Sequence, residues 1–291
     1  MENVKQIEKI FHRPAHPGMV GDGFRVYNYF PNGYPLREKL DPFLMLDFGP
    51  AFDFGPSDHP RGVDVHPHKG FETVTIAYKG SVEHYDSTGN SGVINPGDVQ
   101  WMTAGAGILH KEFHEKEFSK KGGPFEMVQL WVNLPKKNKL TPAKYQPLIE
   151  SEMNKFVLPG DNGIVKVIAG NFNGIKGSAS TFTEINVFDI RINPNGEMKT
   201  EIPSAHNAAV LVVEGSVEVN GQNAALHDFI LFKNEGEVIT IKSKEKSVLL
   251  FLSGMPINEP IAQYGPFVMN TKQELQEAFF EFESGKFGEL N

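Results

Sequence analysis

The sequence has 291 residues, 40% hydrophobic and 22% charged, which suffices for one large domain or two ordinary domains with buried cores. Its formal net charge of -8 argues against direct binding to nucleic acid phosphates or to anionic lipid. Cysteine is absent, so disulfides and thiolate ligands are excluded, and histidine and carboxylate remain as candidate metal ligands. Because no apolar run has the length of a signal peptide or a membrane span, we expect a soluble, cytoplasmic protein.

The first half of the chain has the pattern of a β-protein. Prolines and glycines interrupt residues 11–60 too often for a long helix, and the apolar run at residues 41–48 predicts a buried strand. From residue 71 to residue 103, β-branched and aromatic runs alternate with turns such as Asn95-Pro96-Gly97-Asp98. Residues 125–134 follow as a core strand. This spacing is typical of a β-sandwich or barrel.

The second half repeats the first in outline. Gly80-Ser81-Val82-Glu83 is echoed by Gly215-Ser216-Val217-Glu218, an offset of about 135 residues that suits one small barrel. Between the halves, residues 135–144 are basic and polar, which predicts an exposed linker. We therefore predict an N-terminal domain over residues 1–135 and a C-terminal domain over residues 136–291.

A helix is predicted near the end of the chain. Thr271 and Glu274 have the spacing of a capping box, and Gly285 follows as a stop signal. Four apolar residues between them lie at helical spacing: Leu275, Ala278, Phe279 and Phe282. We expect an amphipathic helix from about residue 271 to residue 284 that packs on a barrel.

Two short motifs carry the candidate chemistry. His66 and His68 stand two residues apart, as do His110 and Glu112 about forty residues later. Alternate residues of a strand point to the same side, so two facing strands would direct four ligands into one space. Three imidazoles and a carboxylate suit Fe(II), Mn(II), Ni(II), Cu(II) or Zn(II), and they leave positions open on a five- or six-coordinate ion.

Three other side chains compete for roles at this site. Glu72 is a rival carboxylate, because it shares the parity of the first two histidines, although Pro67 and Gly70 weaken the continuity of that strand. His114 shares the parity of the second motif but lies among charged residues, so we expect it on the surface. His84 could face the interior, and an exposed or hydrogen-bonded imidazole is the preferred interpretation.

Three segments resemble the pirin family of the cupin superfamily: residues 66–74, residues 95–105 and residues 107–112. Residues 260–271 are similar to the family's C-terminal segment. The resemblance implies an all-β fold of two stacked cupin (jelly-roll-type) β-barrels with a short C-terminal helix. It also implies a metal site in the N-terminal domain alone, with iron as the usual ion.

The resemblance favours Glu112 over Glu72, because the family's carboxylate ligand lies two residues after the histidine of the second motif. The implied ligands of one divalent transition metal are His66, His68, His110 and Glu112. Fe(II) is the expected ion, with Mn, Ni, Cu or Zn as alternatives. When the two halves are aligned on their shared turn, the second half has no such set; its corresponding residues are Glu201, Pro203, Thr240 and Lys242.

The pirin family includes members resembling quercetinases, which open a flavonol ring with dioxygen. We therefore expect a metal-dependent dioxygenase with a small aromatic substrate, in which Glu112 also accepts the substrate hydroxyl proton. Candidate residues for an apolar wall, each equally explained by core packing, are Phe43, Met45, Phe48, Phe52 and Phe54. The alternative is a metal-dependent regulatory protein that acts through protein partners, as the resemblance to pirins implicated in transcription implies.

Overall fold

The computed structural model describes residues 2–30 and 36–290 and consists mainly of β-strands. The strands are β1 (Ile7–Phe11), β2 (Gly18–Val20), β3 (Phe24–Asn28), β4 (Phe43–Phe54), β5 (Gly62–His68), β6 (Phe71–Lys79), β7 (Val82–Asp86), β8 (Ser91–Ile94), β9 (Val99–Thr103), β10 (Ile108–His114), β11 (Gly123–Asn133), β12 (Lys144–Leu148), β13 (Lys155–Leu158), β14 (Gly163–Ala169), β15 (Asn171–Phe172), β16 (Ile175–Lys176), β17 (Ile185–Ile192), β18 (Glu197–Glu201), β19 (Asn207–Glu214), β20 (Val217–Val219), β21 (Gln222–Ala224), β22 (Phe229–Phe232), β23 (Val238–Lys242), β24 (Ser247–Gly254), β25 (Ala262–Tyr264) and β26 (Phe267–Met269). The helices are α1 (Arg37–Leu40), α2 (Lys116–Lys121) and α3 (Lys272–Glu283), and short 3-10 turns lie at Lys136–Asn138 and Pro159–Asp161.

The chain forms two compact units. Unit A, which contains both histidine motifs, consists of Pro14–Arg37, Phe43–Glu150 and Asn258–Asn291. Unit B consists of Met1–Arg13, Glu38–Pro42 and Ser151–Ile257. This grouping differs from a single division after residue 135, because β1 pairs with β22 of unit B while α3 packs on β26 of unit A. The linear domain boundary stays a prediction.

Unit A contains a large and a small antiparallel sheet. The large sheet has seven strands in the order β12-β9-β6-β11-β4-β3-β2, and the small sheet has four in the order β5-β10-β7-β8. The predicted buried strand at residues 41–48 is confirmed, since every residue of Phe43–Pro50 in β4 is buried. Along β10, buried and half-buried residues alternate, which directs His110, Glu112 and His114 to the inner face.

The segment after β11 is less exposed than the prediction of a solvated linker. Most of residues 135–144 are at least partly exposed, but Lys139 retains only 2% of its accessible surface. Its ammonium group donates hydrogen bonds to the carbonyls of Gly70 and Val268 and to the side-chain oxygen of Asn133, at 2.6 to 2.9 Å. Three acceptors satisfy the buried charge, so this lysine joins three separate segments of unit A.

The predicted C-terminal helix is confirmed. Thr271 is the N-cap of α3, and its hydroxyl accepts from the Glu274 backbone N–H at 3.1 Å. In return, the Glu274 carboxylate accepts from the Thr271 backbone N–H at 2.8 Å, which completes the capping box. Ala278 on the inner face packs against Phe267 and Phe287 within unit A.

Unit B has the same plan of two antiparallel sheets. Its seven-stranded sheet has the order β1-β22-β19-β24-β17-β14-β13, and its four-stranded sheet has the order β18-β23-β20-β21. Valine, isoleucine, leucine and phenylalanine side chains from both sheets form one buried cluster. The predicted repetition of architecture between the two halves is thus present at the level of sheets.

Candidate metal centre

Strand pairing brings the two histidine motifs together. Strand β5 lies antiparallel to β10, with His66 opposite His110 and His68 opposite Ile108. The register shifts between His110 and Glu112, at an irregularity typical of a β-bulge. On its other side β10 pairs with β7, which places Glu112 opposite His84.

The imidazole rings form a tight cluster. Ring centroids lie 4.2 Å apart for His66 and His110, 4.8 Å for His68 and His110, and 4.9 Å for His66 and His68. Each of these histidines offers one ligand atom within 4.8 Å of those of the other two. A second group within the same limit consists of His84, His110 and Glu112. The four predicted ligands are thus gathered around His110, together with one additional histidine.

The state of the ring nitrogens suits a metal ion. The Nδ1 atom of His66 lies 2.8 Å from the Asp64 carbonyl, which can only accept, so Nδ1 carries the proton and Nε2 keeps a free lone pair. His110 has no exposed surface, yet neither of its nitrogens has a hydrogen-bond partner among the described residues. A buried unpaired polar group costs about 1–3 kcal/mol, and a bound cation would provide a partner for the ring nitrogen that carries the lone pair.

Burial also sets the charge of the histidines. Desolvation, and next the proximity of His66, hold the pKa of His68 well below its usual range, against a hydrogen bond to the Pro266 carbonyl. The pKa of His110 is lowered in the same way by burial and then by its neighbouring histidines. Both imidazoles are therefore neutral at pH 7, which is the form that binds metals.

The carboxylate of Glu112 is almost completely buried, with 7% of its surface exposed. The Thr75 hydroxyl lies 3.2 Å from Glu112 Oε1 and 2.8 Å from Gln129 Oε1. A hydroxyl has one proton to donate, and it can be shared between these two acceptors. Thr75 thereby orients Glu112 from the large sheet of unit A.

Glu72 does not belong to either group of candidate ligands among the described residues. It lies on β6 opposite Thr103 of β9, whose hydroxyl donates to Glu72 Oε1 at 2.7 Å. Burial raises the pKa of this carboxyl to about 7, against the effect of that hydrogen bond.

His84 is the residue of this cluster to which sequence reasoning gave no role. It is fully buried, stacks on Tyr145 at a centroid distance of 5.0 Å, and lies 3.5 Å from the Asp86 carboxylate. Burial opposes ionisation of Asp86, but hydrogen bonds from His84, Thr88 and Asn90 outweigh it and lower the pKa of Asp86 to about 2. The alternation of inward and outward residues along β7 could have indicated that His84 faces the interior. It could not show that His84 lies beside Glu112, because that depends on the pairing of β7 with β10.

The predicted surface location of His114 is wrong. The ring is fully buried, and its Nε2 atom lies 2.8 Å from the Gly23 carbonyl, to which it donates. Aromatic rings surround it at centroid distances of 4.6 to 6.0 Å: Phe24, Phe54, Phe118 and Phe125. Its parity places it on the inner face of β10, beyond the ligand cluster, where the neighbouring space is filled by apolar side chains.

A cavity of about 480 Å³ opens onto the cluster, with His66, His68 and Glu112 in its wall. The rest of the wall is largely apolar and consists of Val20, Phe24, Val26, Met45, Asp47, Val63, Met127, Gln129, Trp131, Gly265 and Pro266. Of the predicted wall residues, Met45 lines the cavity. Phe43, Phe48 and Phe54 are buried core residues, and Phe52 is 40% exposed.

Unit B carries three isoleucines and one threonine at the corresponding positions. The shared Gly-Ser-Val-Glu turn makes Glu83 of unit A equivalent to Glu218 of unit B. The next residue of each strand is His84, which pairs with Glu112 in unit A, and Val219, which pairs with Ile241 in unit B. Glu112 therefore corresponds to Ile241, one residue away from the predicted Lys242. By the same register, His110 corresponds to Ile239, His66 to Thr200 and His68 to Ile202.

A shift of one residue reverses the face of a strand, which explains the difference. Glu201, Pro203 and Lys242 are exposed, and Thr240 is half-buried. Ile239 and Ile241 are fully buried in the core of unit B. Two isoleucines of the buried core thus occupy the positions in unit B that correspond to His110 and Glu112.

Two β-sheet units of one plan, with a histidine and carboxylate cluster in the inner face of one of them, define the cupin class of protein. The family model described as Pirin matches residues 23–132, and the model described as Pirin C-terminal cupin domain matches residues 187–288. The chain belongs to the pirin family.

Individual relatives agree with this assignment. A crystal structure of quercetin 2,3-dioxygenase from Acinetobacter baumannii is 44% identical, covers 99% of both chains and superposes with a TM-score of 0.93. A pirin-like protein from Solanum lycopersicum is 39% identical over 97% of this chain and 96% of its own length. Human pirin is 36% identical over 88% of this chain and 86% of its own length. Among the described residues, no helix has both the length and the hydropathy needed to cross a membrane.

Proposed function

We propose that this protein is a metal-dependent dioxygenase that opens a flavonol such as quercetin, with Fe(II) held by His66, His68, His110 and Glu112. The observation that carries the proposal is the cluster of three histidines, two of them fully or almost fully buried, beside a mostly apolar cavity. The 44% identity to the quercetin 2,3-dioxygenase from Acinetobacter baumannii supports the choice of substrate class.

The donor set fits a transition metal and leaves the choice of ion open to experiment. Neutral imidazoles and one carboxylate bind Fe(II), Mn(II), Ni(II), Cu(II) and Zn(II), and Fe(II) is the ion that we propose. Bound there, the ion would supply coordination positions for a substrate oxygen and for dioxygen. His84 contacts the cluster from β7 and is an alternative fourth nitrogen ligand.

The chain's own residues bind and orient the substrate. A cavity of about 480 Å³ is within the range of small-molecule sites, which runs from about 300 to 1,000 Å³. Trp131, Phe24 and Met127 present apolar surface to a flat aromatic ligand and exclude water from it. The walls thereby hold the reacting ring against the side of the cavity that contains His66, His68 and Glu112.

Glu112 is the proposed base. Its carboxylate lies both in the ligand cluster and in the cavity wall, so a substrate hydroxyl that approaches the cluster comes within reach of it. The Thr75 hydroxyl donates to Oε1, and we propose Oε2, which does not share that hydrogen bond, as the atom that accepts the proton. Deprotonation of the substrate hydroxyl would increase the electron density of the ring that reacts with dioxygen.

Oxygen uptake tests the proposal. Protein loaded anaerobically with Fe(II) is mixed with quercetin and air-saturated buffer, and oxygen consumption and loss of flavonol absorbance are followed together. We expect both signals in the parent protein, their loss in His110→Ala, and their retention in His12→Ala, which removes an exposed histidine of unit B. Iron-loaded parent protein that consumes no oxygen with quercetin would contradict the dioxygenase proposal.

We propose as the second candidate a regulatory protein that binds partners in a metal-dependent manner, with a cytoplasmic location in either case. Its support is the membership of the pirin family and the 36% identity to human pirin. A pull-down that recovers one partner in stoichiometric amount, lost in His110→Ala and kept in His12→Ala, would favour it. Partner binding that is indifferent to the metal ligands would count against it.

A further inference from the structure

A row of polar side chains crosses the large sheet of unit A. Its members occupy facing positions on β3, β4, β11, β6 and β9, and are Asn28, Asp47, Gln129, Thr75 and Gln100. Residues that face each other on neighbouring strands share one face of a sheet. Because Thr75 contacts Glu112, this row lies on the face towards the cluster of candidate ligands. Burying a polar group costs free energy unless the group is hydrogen-bonded, so each member of the row should have a hydrogen-bond partner.

Two members of the row, Asp47 and Gln129, line the cavity beside the ligand cluster. Each of these two side chains has one oxygen that accepts a hydrogen bond from the neighbouring strand on the side away from the other residue. Asp47 Oδ1 accepts from Asn28 Nδ2 at 2.7 Å, and Gln129 Oε1 accepts from Thr75 at 2.8 Å. Both side chains are thereby fixed in orientation by neighbours within the row.

The remaining atoms of this pair are complementary. Asp47 Oδ2 is an acceptor and Gln129 Nε2 is a donor, and neither has a hydrogen bond within the described part of the chain. The two residues face each other on β4 and β11, so their Cβ atoms are about 5 Å apart. Asp47 is only 8% exposed, so bulk water gives its carboxylate little solvation.

We propose that Asp47 and Gln129 form a subsite for a phenolic hydroxyl of the substrate, separate from the oxygen atoms that approach the metal. This subsite rests on the proposed function, because it assumes that a hydroxylated aromatic compound occupies the cavity. The hydroxyl donates to Asp47 Oδ2 and accepts from Gln129 Nε2, which uses both halves of its hydrogen-bonding capacity.

The chemistry of the pair distinguishes a hydroxyl from other groups. An ammonium ion offers only donors and would leave Gln129 Nε2 facing a positive charge, whereas a carboxylate would be repelled by Asp47. An unsubstituted ring would cover both groups and leave them unpaired, at a cost in affinity of the kind that gives polar sites their selectivity. Burial raises the pKa of Asp47 to about 6, against the hydrogen bond from Asn28, which is consistent with a carboxyl kept in a poorly solvated place.

Binding of two flavonols tests the subsite without turnover. Quercetin and 3-hydroxyflavone share the hydroxyl and keto oxygens that chelate a metal, but 3-hydroxyflavone lacks all the other ring hydroxyls. Their dissociation constants are measured anaerobically from the absorbance change on binding to Fe(II)-loaded protein. We expect the parent to prefer quercetin by about tenfold or more, which corresponds to one well-formed hydrogen bond of about 1.4 kcal/mol.

The variants Asp47→Asn, Asp47→Leu and Gln129→Leu complete the test. We expect each to retain its metal and its affinity for 3-hydroxyflavone within about twofold, while the preference for quercetin decreases, most in the leucine variants. Asp47→Asn keeps the acceptor for Asn28, so it also serves if a leucine variant fails to fold.

The outcomes separate this inference from the proposed function. A parent that binds 3-hydroxyflavone and quercetin equally, or variants that keep the preference, would overturn the subsite and leave the dioxygenase proposal intact. Variants that lose both ligands equally would assign Asp47 and Gln129 a purely structural role, and so would also overturn it. A metal-loaded parent that binds neither flavonol would overturn the proposed function itself.

Discussion

Asp47 illustrates how a single buried residue can link stability to function. Its carboxyl lies in a mostly apolar cavity wall, and burial raises its pKa to about 6 from a usual value of 3.8. The folded protein therefore binds this proton more tightly than the unfolded chain does. Stability from this group is present at low pH and is lost as the pH rises from about 4 to about 6.

The variant Asp47→Asn should be more stable than the parent at pH 7.5. The amide removes the cost of a buried charge and keeps the acceptor for Asn28, so we expect a gain of about 1–3 kcal/mol in the free energy of unfolding. Below about pH 4 the parent carboxyl is protonated in both states, and the gain should disappear. Urea denaturation of both proteins between pH 3.5 and pH 7.5 measures this difference. A stability difference between Asp47→Asn and the parent that does not change with pH would contradict the raised pKa of Asp47.

The candidate ligands were predictable from the sequence because part of their geometry is local, although the choice of Glu112 over Glu72 came from the resemblance to the pirin family. The i, i+2 spacing of His66 and His68, and of His110 and Glu112, fixes which side chains share a face of one strand. His84 was not accessible in this way, since its place beside Glu112 depends on the pairing of β7 with β10. The environment of His114 likewise depends on aromatic residues distant in the sequence, such as Phe24 and Phe54.

Among the helices and strands, features that depend on local sequence were predicted correctly, whereas the strand register between the two halves was not. The ends of α3 followed from a capping box and a glycine, both of which act within one turn of the helix. The alignment of the two halves failed by one residue at β23, because a shared turn does not fix the register of strands that lie further along the chain. The consequence was that four outward-facing or half-buried residues were assigned to ligand positions.

The cap of α3 gives a prediction with a matched control. Thr271→Ala removes the acceptor for the Glu274 backbone N–H, and we expect a loss of about 1 kcal/mol in the free energy of unfolding. Thr271→Ser keeps a hydroxyl at the same position and should behave almost as the parent does. Equilibrium urea denaturation of the three proteins makes the comparison. Equal losses in the alanine and serine variants would show that the hydroxyl cap is not the source of the effect.

At the scale of the whole molecule, two units of one plan differ in what fills their inner faces. Unit A directs histidines and a glutamate towards a cavity, whereas unit B fills the corresponding positions with Ile239, Ile241 and Ile202 around Thr200. Sequence motifs predicted candidate ligands in the first half and none at the aligned positions of the second, but they did not identify the residues that occupy those positions in unit B. The grouping of both chain ends into the units depends on long-range pairing, such as that of β1 with β22, which no local motif reveals.

In the proposed function, unit A holds a transition metal through the two histidine motifs. The most direct test is elemental analysis of protein purified without chelators or a metal-affinity column, alongside His66→Ala, Glu112→Ala and the control His12→Ala. We predict about one transition-metal ion per chain in the parent and in the control, and a sharp decrease in the two ligand variants. Parent protein that contains no transition metal, even after anaerobic loading with Fe(II), would contradict the proposed metal site.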